Sequence, residues 1–191
     1  TITLLEASLS DPRMSAAAVD ALGIIGHRND DAPRDRIAAA LETRLGAGGL
    51  ATVQVLDALG NNGHAGSLPA ILGFVRHAEF PVRLAALRAL RGEPAPEADA
   101  ALSDAMRTDP MAEIRRAAAE ATASRVDDAT RAALGDLVLF DVDPRVQHAA
   151  LSALIARMPI DPAARPIVQA VADGSPDPML RLHASGALLP R

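Results

Sequence analysis

A nine-residue pattern that recurs six times constrains this chain more than any other feature of its sequence. The pattern is clearest in VRLAALRAL, residues 82–90. The other copies begin at Met14, Ala51, Ile114, Val146 and Leu180. Successive copies start 31 to 37 residues apart, a period that is typical of stacked repeats rather than of one globular core. Each interval is therefore expected to hold one supersecondary unit.

The pattern has the spacing of an amphipathic helix. Its first, fourth, fifth, sixth, eighth and ninth positions are mostly Ala, Leu, Val or Ile, whereas the second and seventh are mostly polar. Ala85, Ala86 and Ala89 occupy positions that would face a neighbouring helix. Because alanine is small and favours helix, these positions predict closely packed helices.

Glycine, asparagine and Asp-Pro breaks separate the helical stretches, so each repeat is expected to contain two antiparallel helices. The prediction is an all-α fold with twelve helices in six pairs, forming a single repeat domain over residues 1–191. The approximate repeats are 1–27, 28–64, 65–92, 93–125, 126–158 and 159–191. The most proline-dense break, Gly92 to Pro96, is expected to be the weakest link.

Several residues are predicted to start or stop helices. Aspartates precede helices in Asp-Pro and Asp-Asp turns, where a carboxylate can accept hydrogen bonds from free backbone amides. These aspartates are Asp11, Asp127, Asp143 and Asp177. Ser67 is expected to cap the fifth helix, which would end near His77. Gly26 and Gly60 are expected to end the second and fourth helices.

Composition excludes several functional classes. The chain contains no cysteine, which excludes disulfides, thiolate zinc sites and thiol catalysis. Its net charge of −5 is spread along the sequence and provides no basic footprint for nucleic acid or an anionic membrane. No apolar run is long enough to span a bilayer, and Thr1 is not followed by a signal-like core. A cytoplasmic location is weakly favoured, and the missing Met and abrupt ends suggest a trimmed fragment of a longer chain or a processed chain.

No catalytic or metal-binding motif is evident. The histidines lack paired metal-ligand spacing, and the glycine-rich stretch Gly46 to Gly49 lacks the following Lys and Ser or Thr of a phosphate loop. The carboxylate pairs Asp30-Asp31 and Asp127-Asp128 each precede a helix, where capping explains them. No enzymatic activity, cofactor or metal is therefore expected.

The Asp-Pro turn followed by an apolar residue, an arginine and an Ala-rich helix resembles the HEAT repeat family in its short prokaryotic form. The copies are DPRM at 11–14, EFPVR at 79–83, DPRVQ at 143–147 and DPMLR at 177–181. The resemblance covers nearly the whole chain and implies a right-handed α-solenoid. It also implies a ladder of bonds between turn acids and Arg83, Arg115 and Arg181. Ser15, Thr52 and Gln147 would interrupt this ladder.

A narrower resemblance concerns LDALGNNGHAGSLPAIL at 56–72, followed by PVRLAALRAL. This stretch is similar to the helical superhelix of vitellogenin-type lipid-transfer proteins. It implies a related helical scaffold, because the β-sheet lipid cavity of those proteins has no counterpart here.

The second helix of each pair lines the concave face of a HEAT-like solenoid, so its third and seventh pattern positions are the candidate binding residues. The candidates are Val53, Asp57, Leu84, Arg88, Arg116, Glu120, His148 and Leu182. An apolar strip with a charged rim suits a peptide or a protein helix. The alternative is that the curvature of the array itself covers these side chains.

The leading functional hypothesis is a non-enzymatic scaffold that binds a protein or peptide partner, or another part of a longer chain. The alternative is a ligand-cradling domain that handles lipids or resembles HEAT-like bilin lyase subunits. DNA repair by a HEAT-like glycosylase is disfavoured by the acidic balance and the absence of Trp and Tyr. Apolar ends, Ile2, Leu4 and Leu5 at one and Leu188 and Leu189 at the other, predict further repeats or self-association.

Overall fold

The computed structural model describes residues 1–11, 13–27, 31–46, 48–92 and 94–189, with the side chains of residues 31 and 32 left aside. Within these ranges the chain is all-α and forms twelve α-helices with three short 3-10 turns. The helices divide into two units, Thr1–Pro94 and Ala95–Arg191. The boundary lies within the proline-dense break at Gly92 to Pro96. The prediction of a single domain over residues 1–191 stays a prediction.

The first unit contains α1 to α6. Their bounds are α1 Ile2–Ser8, α2 Ser15–His27, α3 Asp31–Glu42, α4 Gly49–Asn62, α5 Leu68–Leu72 and α6 Phe80–Ala89. A 3-10 turn, Ala65–Ser67, precedes α5, and another, Leu90–Gly92, follows α6.

The second unit contains α7 to α12. Their bounds are α7 Pro96–Thr108, α8 Ala112–Ala121, α9 Asp128–Phe140, α10 Pro144–Arg157, α11 Arg165–Gly174 and α12 Pro178–Leu188. The 3-10 turn Pro162–Ala164 precedes α11. Each of the six predicted repeat intervals thus contains one pair of helices.

Both units have the same two-layer construction. In the first unit α2 packs on α4 and α4 on α6, while α1, α3 and α5 pack against their own partners. In the second unit α8 packs on α10 and α10 on α12, and α7, α9 and α11 form the other layer. We call α2, α4, α6, α8, α10 and α12 the second helices.

The apolar positions of the pattern form the core between the layers. Val82, Ala86 and Leu87 are fully buried, and so are Ile114 and Ala118 in the equivalent positions of α8. Burial of these side chains in every repeat provides the main driving force for stacking, because each helix pair alone leaves one face exposed.

Neighbouring second helices in the first unit approach closely at small residues. A Cβ atom built on Gly60 would lie 2.6 Å from the Cα of Ala89, and one built on Gly23 would lie 2.8 Å from the Cα of Ala58. Such distances are far below van der Waals contact. Gly60 and Gly23 are therefore required by helix packing.

Two of the predicted helix ends are wrong, and close packing explains both. Gly26 does not stop α2 but lies inside it, buried against the side chain of Asn62. Gly60 lies inside α4, which ends at Gly63 in a left-handed conformation with φ of 65°. Gly26 and Gly60 allow close contact with a neighbouring helix. The sequence of one helix does not distinguish this role from that of a glycine that ends the helix.

Three of the predicted aspartates cap helices. Asp127, Asp143 and Asp177 accept hydrogen bonds from the backbone amides of Thr130, Arg145 and Met179. Asp11 accepts from the amide of Arg13 in the turn before α2.

Ser67 differs from the prediction. Its hydroxyl donates to Glu42 of α3 at 2.7 Å and makes no cap bond. The fifth helix is also shorter than predicted, because after Leu72 the amides of Phe74 and His77 bond to carbonyls three residues earlier and tighten the chain into turns.

Side chains at the second position of the nine-residue pattern form hydrogen bonds with the turn that precedes their helix. The side chains of Arg83, Arg115, Gln147 and Arg181 each donate to the backbone carbonyl six residues earlier. Arg115 also forms a fork with Asp141 of the next repeat, at 2.7 and 2.9 Å. The predicted ladder therefore has a rung at Arg115. Gln147, which was expected to interrupt the ladder, bonds to the carbonyl of its own turn in the same way as the arginines.

No helix in the described part of the chain is long and apolar enough to cross a membrane.

Replacement of Leu87 by Ala should lower the free energy of unfolding by about 2–5 kcal/mol, because Leu87 is fully buried and its loss leaves a cavity. Chemical denaturation would measure the change. Leu84→Ala in the same helix is the matched control, since Leu84 is only half-buried and should show a smaller loss. Equal losses at both positions would contradict the assigned orientation of α6.

Replacement of Gly60 by Ala should destabilise the protein despite the higher helix propensity of alanine, because the new methyl group must push α4 away from α6. Gly186→Ala in α12 should instead stabilise by about 0.5–1 kcal/mol, since open space surrounds that position. Thermal denaturation of the two variants would compare them. Stabilisation by both substitutions would show that the α4–α6 contact is looser than described.

Candidate functional site

Five of the eight predicted binding residues line two grooves, one in each unit. The unit-1 groove has a volume of about 840 Å³ and lies along the C-terminal halves of α2, α4 and α6. Its side chains include Ile24, His27, Asp57, Asn61, Arg88 and Arg91. Gly60 and Ala89, the residues of the close α4–α6 contact, contribute to its lining. Of the predicted residues, Asp57 and Arg88 are brought together here.

The cations of the unit-1 groove are available for binding. Arg88, Arg91 and His27 are exposed, and their side chains form no hydrogen bond or ion pair with the described residues. Each lies at the C-terminal end of a helix or in the 3-10 turn that follows it. The negative end of the helix dipole favours cations there, but it leaves their N–H groups free.

Asp57 is the carboxylate of this groove, and its environment disfavours ionisation. Partial desolvation by the surrounding helices raises the pKa of the Asp57 carboxyl above its usual value; Arg88 opposes this shift, and Asp20 adds to it. A carboxylate held at an unfavourable position in a groove is a common feature of binding sites.

The unit-2 groove has a volume of about 660 Å³ and lies between α8 and α10. Its side chains include Arg116, Glu120, Arg145, His148 and Ser152. Three of the predicted residues, Arg116, Glu120 and His148, are therefore brought together in this groove.

The cations of the unit-2 groove all have carboxylate partners. Arg116 pairs with Glu120 at 2.9 Å within α8. Arg145 pairs with Asp143 at 2.7 Å, and His148 lies 3.8 Å from Asp177. The hydrogen bonds from Arg145 lower the pKa of Asp143 to about 2. The charges of this groove thus largely satisfy one another.

The three apolar candidates do not line either groove. Val53 and Leu84 are half-buried in the first unit, and Leu182 is 67% exposed in the second. Their role in binding a partner stays a prediction.

A recurring polar position was missed in the sequence. Asn62, Arg125 and Arg157 each lie eleven residues after the first pattern position, and all are buried. Each returns to the first helix of its own pair: Asn62 donates to the carbonyl of Arg34, Arg125 bonds to Asp99, and Arg157 donates to Thr130 at 3.2 Å. The repeat spacing of these polar residues was the available signal.

Arg157 is the most deeply buried of these side chains. It pairs with Asp161 at 3.1 Å and donates to the carbonyl of Asp127, while Arg131 holds the other side of Asp161. Desolvation lowers the pKa of Arg157, although the neighbouring carboxylates oppose that effect. This network ties the end of α10 to the start of α9 and has a structural role.

The remaining chemistry is sparse. Among the described residues, no group of three His, Asp or Glu side chains could hold a metal ion. His64 bonds to Asp35 at 2.8 Å, and His77 accepts from the amide of Glu79. These contacts fix turns.

Asp57→Asn and Asp143→Asn should have opposite effects on stability at pH 7. The raised pKa of Asp57 means that its ionised form opposes folding, so Asp57→Asn should stabilise slightly, by no more than about 0.5 kcal/mol. That gain should disappear as the pH falls through the folded-state pKa of Asp57. Asp143, with its lowered pKa, supports folding above pH 4.

Asp143→Asn should therefore destabilise at pH 7, and its deficit should shrink as the pH falls from about 4 towards 2. Asparagine retains the capping ability of aspartate, so the comparison isolates the charge. Urea denaturation between pH 2 and 7 would measure both variants. Effects of the same sign at pH 7 would contradict the described surroundings of one of the two carboxylates.

A family model described as HEAT repeats matches residues 51–123. No curated protein matches the chain. Among solved structures, the complex of CpcE and CpcF of phycocyanin lyase from Nostoc sp. PCC7120 is similar, with 23% identity and a TM-score of 0.62. That comparison covers 98% of this chain and 76% of the other.

Two further structures have similar folds. The archaeal HEAT-like repeats protein from Thermococcus onnurineus NA1 has 14% identity and a TM-score of 0.59, covering 97% of this chain and 85% of the other. A designed armadillo repeat protein in complex with the peptide (KR)4 has 14% identity and a TM-score of 0.61, covering 98% of both chains. At these identities the similarity concerns the fold. Residues 51–123 thus match a model of HEAT repeats, and the chain is an all-α helical repeat protein with a solenoid fold similar to that of HEAT-like and armadillo proteins.

Proposed function

We propose that this chain is a non-enzymatic binding module that holds a peptide or protein segment against the exposed faces of its second helices. The observation that carries the proposal is the unit-1 groove. It is an open groove across three neighbouring second helices, and its arginine and asparagine side chains have free hydrogen-bond donors.

The form of the groove fits a polypeptide better than a compact ligand. Small-molecule sites are usually enclosed and mostly apolar, whereas this groove is open and its lining mixes charged, polar and small residues. Two designed armadillo proteins of similar fold, one in complex with (KR)4 and one made for modular peptide recognition, illustrate that stacked helices can present a peptide-binding surface.

The ligand-cradling alternative receives less support from the groove itself. An apolar pigment or a lipid requires a wall of large apolar side chains. Among the residues that the structure describes, Ile24 is the one large apolar residue that lines the unit-1 groove, and none lines the unit-2 groove. The similarity to the phycocyanin lyase complex concerns the fold and does not supply such a wall.

Selection of random 12-residue peptides on the purified protein would test the proposed function without assuming a charge. Selected peptides should bind wild type in calorimetry, and a bulky substitution in the correct groove should weaken them at least tenfold. Asn61→Arg would block the unit-1 groove, and Ser152→Arg the unit-2 groove. Both positions are exposed and helical, so both variants should fold.

Matched controls place the same arginine on exposed positions of first helices. Ala39→Arg in α3 controls for Asn61→Arg, and Ala132→Arg in α9 controls for Ser152→Arg. The controls should bind the selected peptides as wild type does. If the peptides tolerate both groove variants, or if no peptide is enriched, the proposed function is wrong.

A further inference from the structure

The cations in the two grooves differ in a way that composition does not explain. The chain has a net charge of −5, with carboxylates available to pair its arginines. In the unit-2 groove Arg116 and Arg145 have such partners at 2.9 and 2.7 Å. In the unit-1 groove Arg88 and Arg91 are exposed and form no ion pair with the described residues.

Arg88 and Arg91 are also neighbours of like charge. They are three residues apart at the end of α6 and in the 3-10 turn that continues it, which places side chains on one face. Like charges at this spacing oppose helix formation by a few tenths of a kcal/mol. An anion held between the two guanidinium groups would relieve that repulsion.

Attraction by helix dipoles accounts for only part of this arrangement. The C-terminal ends of α2, α4 and α6 favour nearby cations, which suits His27, Arg88 and Arg91. Each guanidinium nevertheless keeps five N–H donors in a planar fork, the geometry that binds carboxylates through two parallel hydrogen bonds. The exposed Asn61 amide adds two more donors between α2 and α6.

The groove spans three adjacent helices, which sets the length of an occupant. Packed helices lie about 8–10 Å apart, so the groove extends roughly 16–20 Å across α2, α4 and α6. An extended chain advances about 3.3 Å per residue, so about five or six residues would cross it. Because side chains of an extended chain alternate, every second residue would face the groove.

We propose that the unit-1 groove binds an extended acidic segment of another protein, with Arg88 and Arg91 receiving its carboxylates and Asn61 bonding to its backbone. This inference rests on the proposed function and adds the charge of the partner. Ile24 provides the apolar contact at the α2 side of the groove. Asp57 limits the affinity, because its carboxylate repels the acidic segment while it attracts Arg88.

Calorimetry with three synthetic peptides would test this assignment. The probe is an acetylated, amidated octapeptide of alternating Glu and Leu, compared with versions that carry Gln or Arg in place of Glu. The Glu peptide should bind wild type at least tenfold more tightly than the Gln peptide, and 0.5 M salt should weaken it strongly. The Arg peptide should not bind detectably.

Two groove variants should change the affinity for the Glu peptide in opposite directions. Arg88→Gln with Arg91→Gln should weaken the Glu peptide at least tenfold. Asp57→Asn should strengthen it, because the repelling charge is removed. Arg13→Gln is the matched control: it removes one exposed arginine from the same unit outside the groove and should weaken binding less than threefold. Circular dichroism would verify that all variants fold.

Three outcomes would overturn the acidic assignment. They are tighter binding of the Arg peptide, an unchanged affinity in the double arginine variant, and no binding of the Glu peptide at millimolar concentration. The proposed function would survive any of them if the selected random peptides still failed to bind Asn61→Arg. Failure of both experiments would leave neither proposal standing.

Discussion

The close approach of neighbouring second helices is the constraint on which the rest of the first unit depends. Gly60 against Ala89, and Gly23 against Ala58, leave no space for an added Cβ atom. Because backbones meet at these points, the helices can stack with their apolar positions buried, while the seventh pattern positions Asp20, Asp57 and Arg88 stay exposed. Gly60 and Ala89 also line the unit-1 groove, beside the longer side chains of Asp57, Asn61 and Arg88.

Polar side chains hold the turns and helix ends within each helix pair. Second-position residues such as Arg115 and Gln147 donate to backbone carbonyls of the preceding turn. Asn62, Arg125 and Arg157 lie at or just beyond the end of a second helix. Each bonds to the first helix of the same pair. Burial of an arginine is costly unless it is paired, and Arg157 meets that requirement through Asp161 and Thr130. The pairs are thus held by specific polar contacts as well as by apolar burial.

Much of this fold could be predicted from the sequence, since a 31–37-residue period and alanine-rich helices repeat along the whole chain. The aspartate caps at Asp127, Asp143 and Asp177 were predictable because capping depends on a few adjacent residues. Gly26 and Gly60 were not, because the sequence of one helix does not show which neighbour it meets. For the same reason the sequence ranked Arg88 and Arg116 alike, although only Arg116 has a carboxylate partner within its own helix.

That difference between the two arginines is the main physical argument for a binding surface in the first unit. A side chain whose charge is satisfied internally contributes to folding, whereas exposed neighbours of like charge, such as Arg88 and Arg91, repel each other, and only part of that repulsion is offset by the attraction between Arg88 and Asp57. Asp57 adds a carboxylate whose ionisation its surroundings disfavour. Proteins retain locally unfavourable groups mainly where function needs them. The concentration of such groups in one open groove, and their absence from the paired charges of the unit-2 groove, therefore favour recognition of a partner that completes the electrostatics of the unit-1 groove.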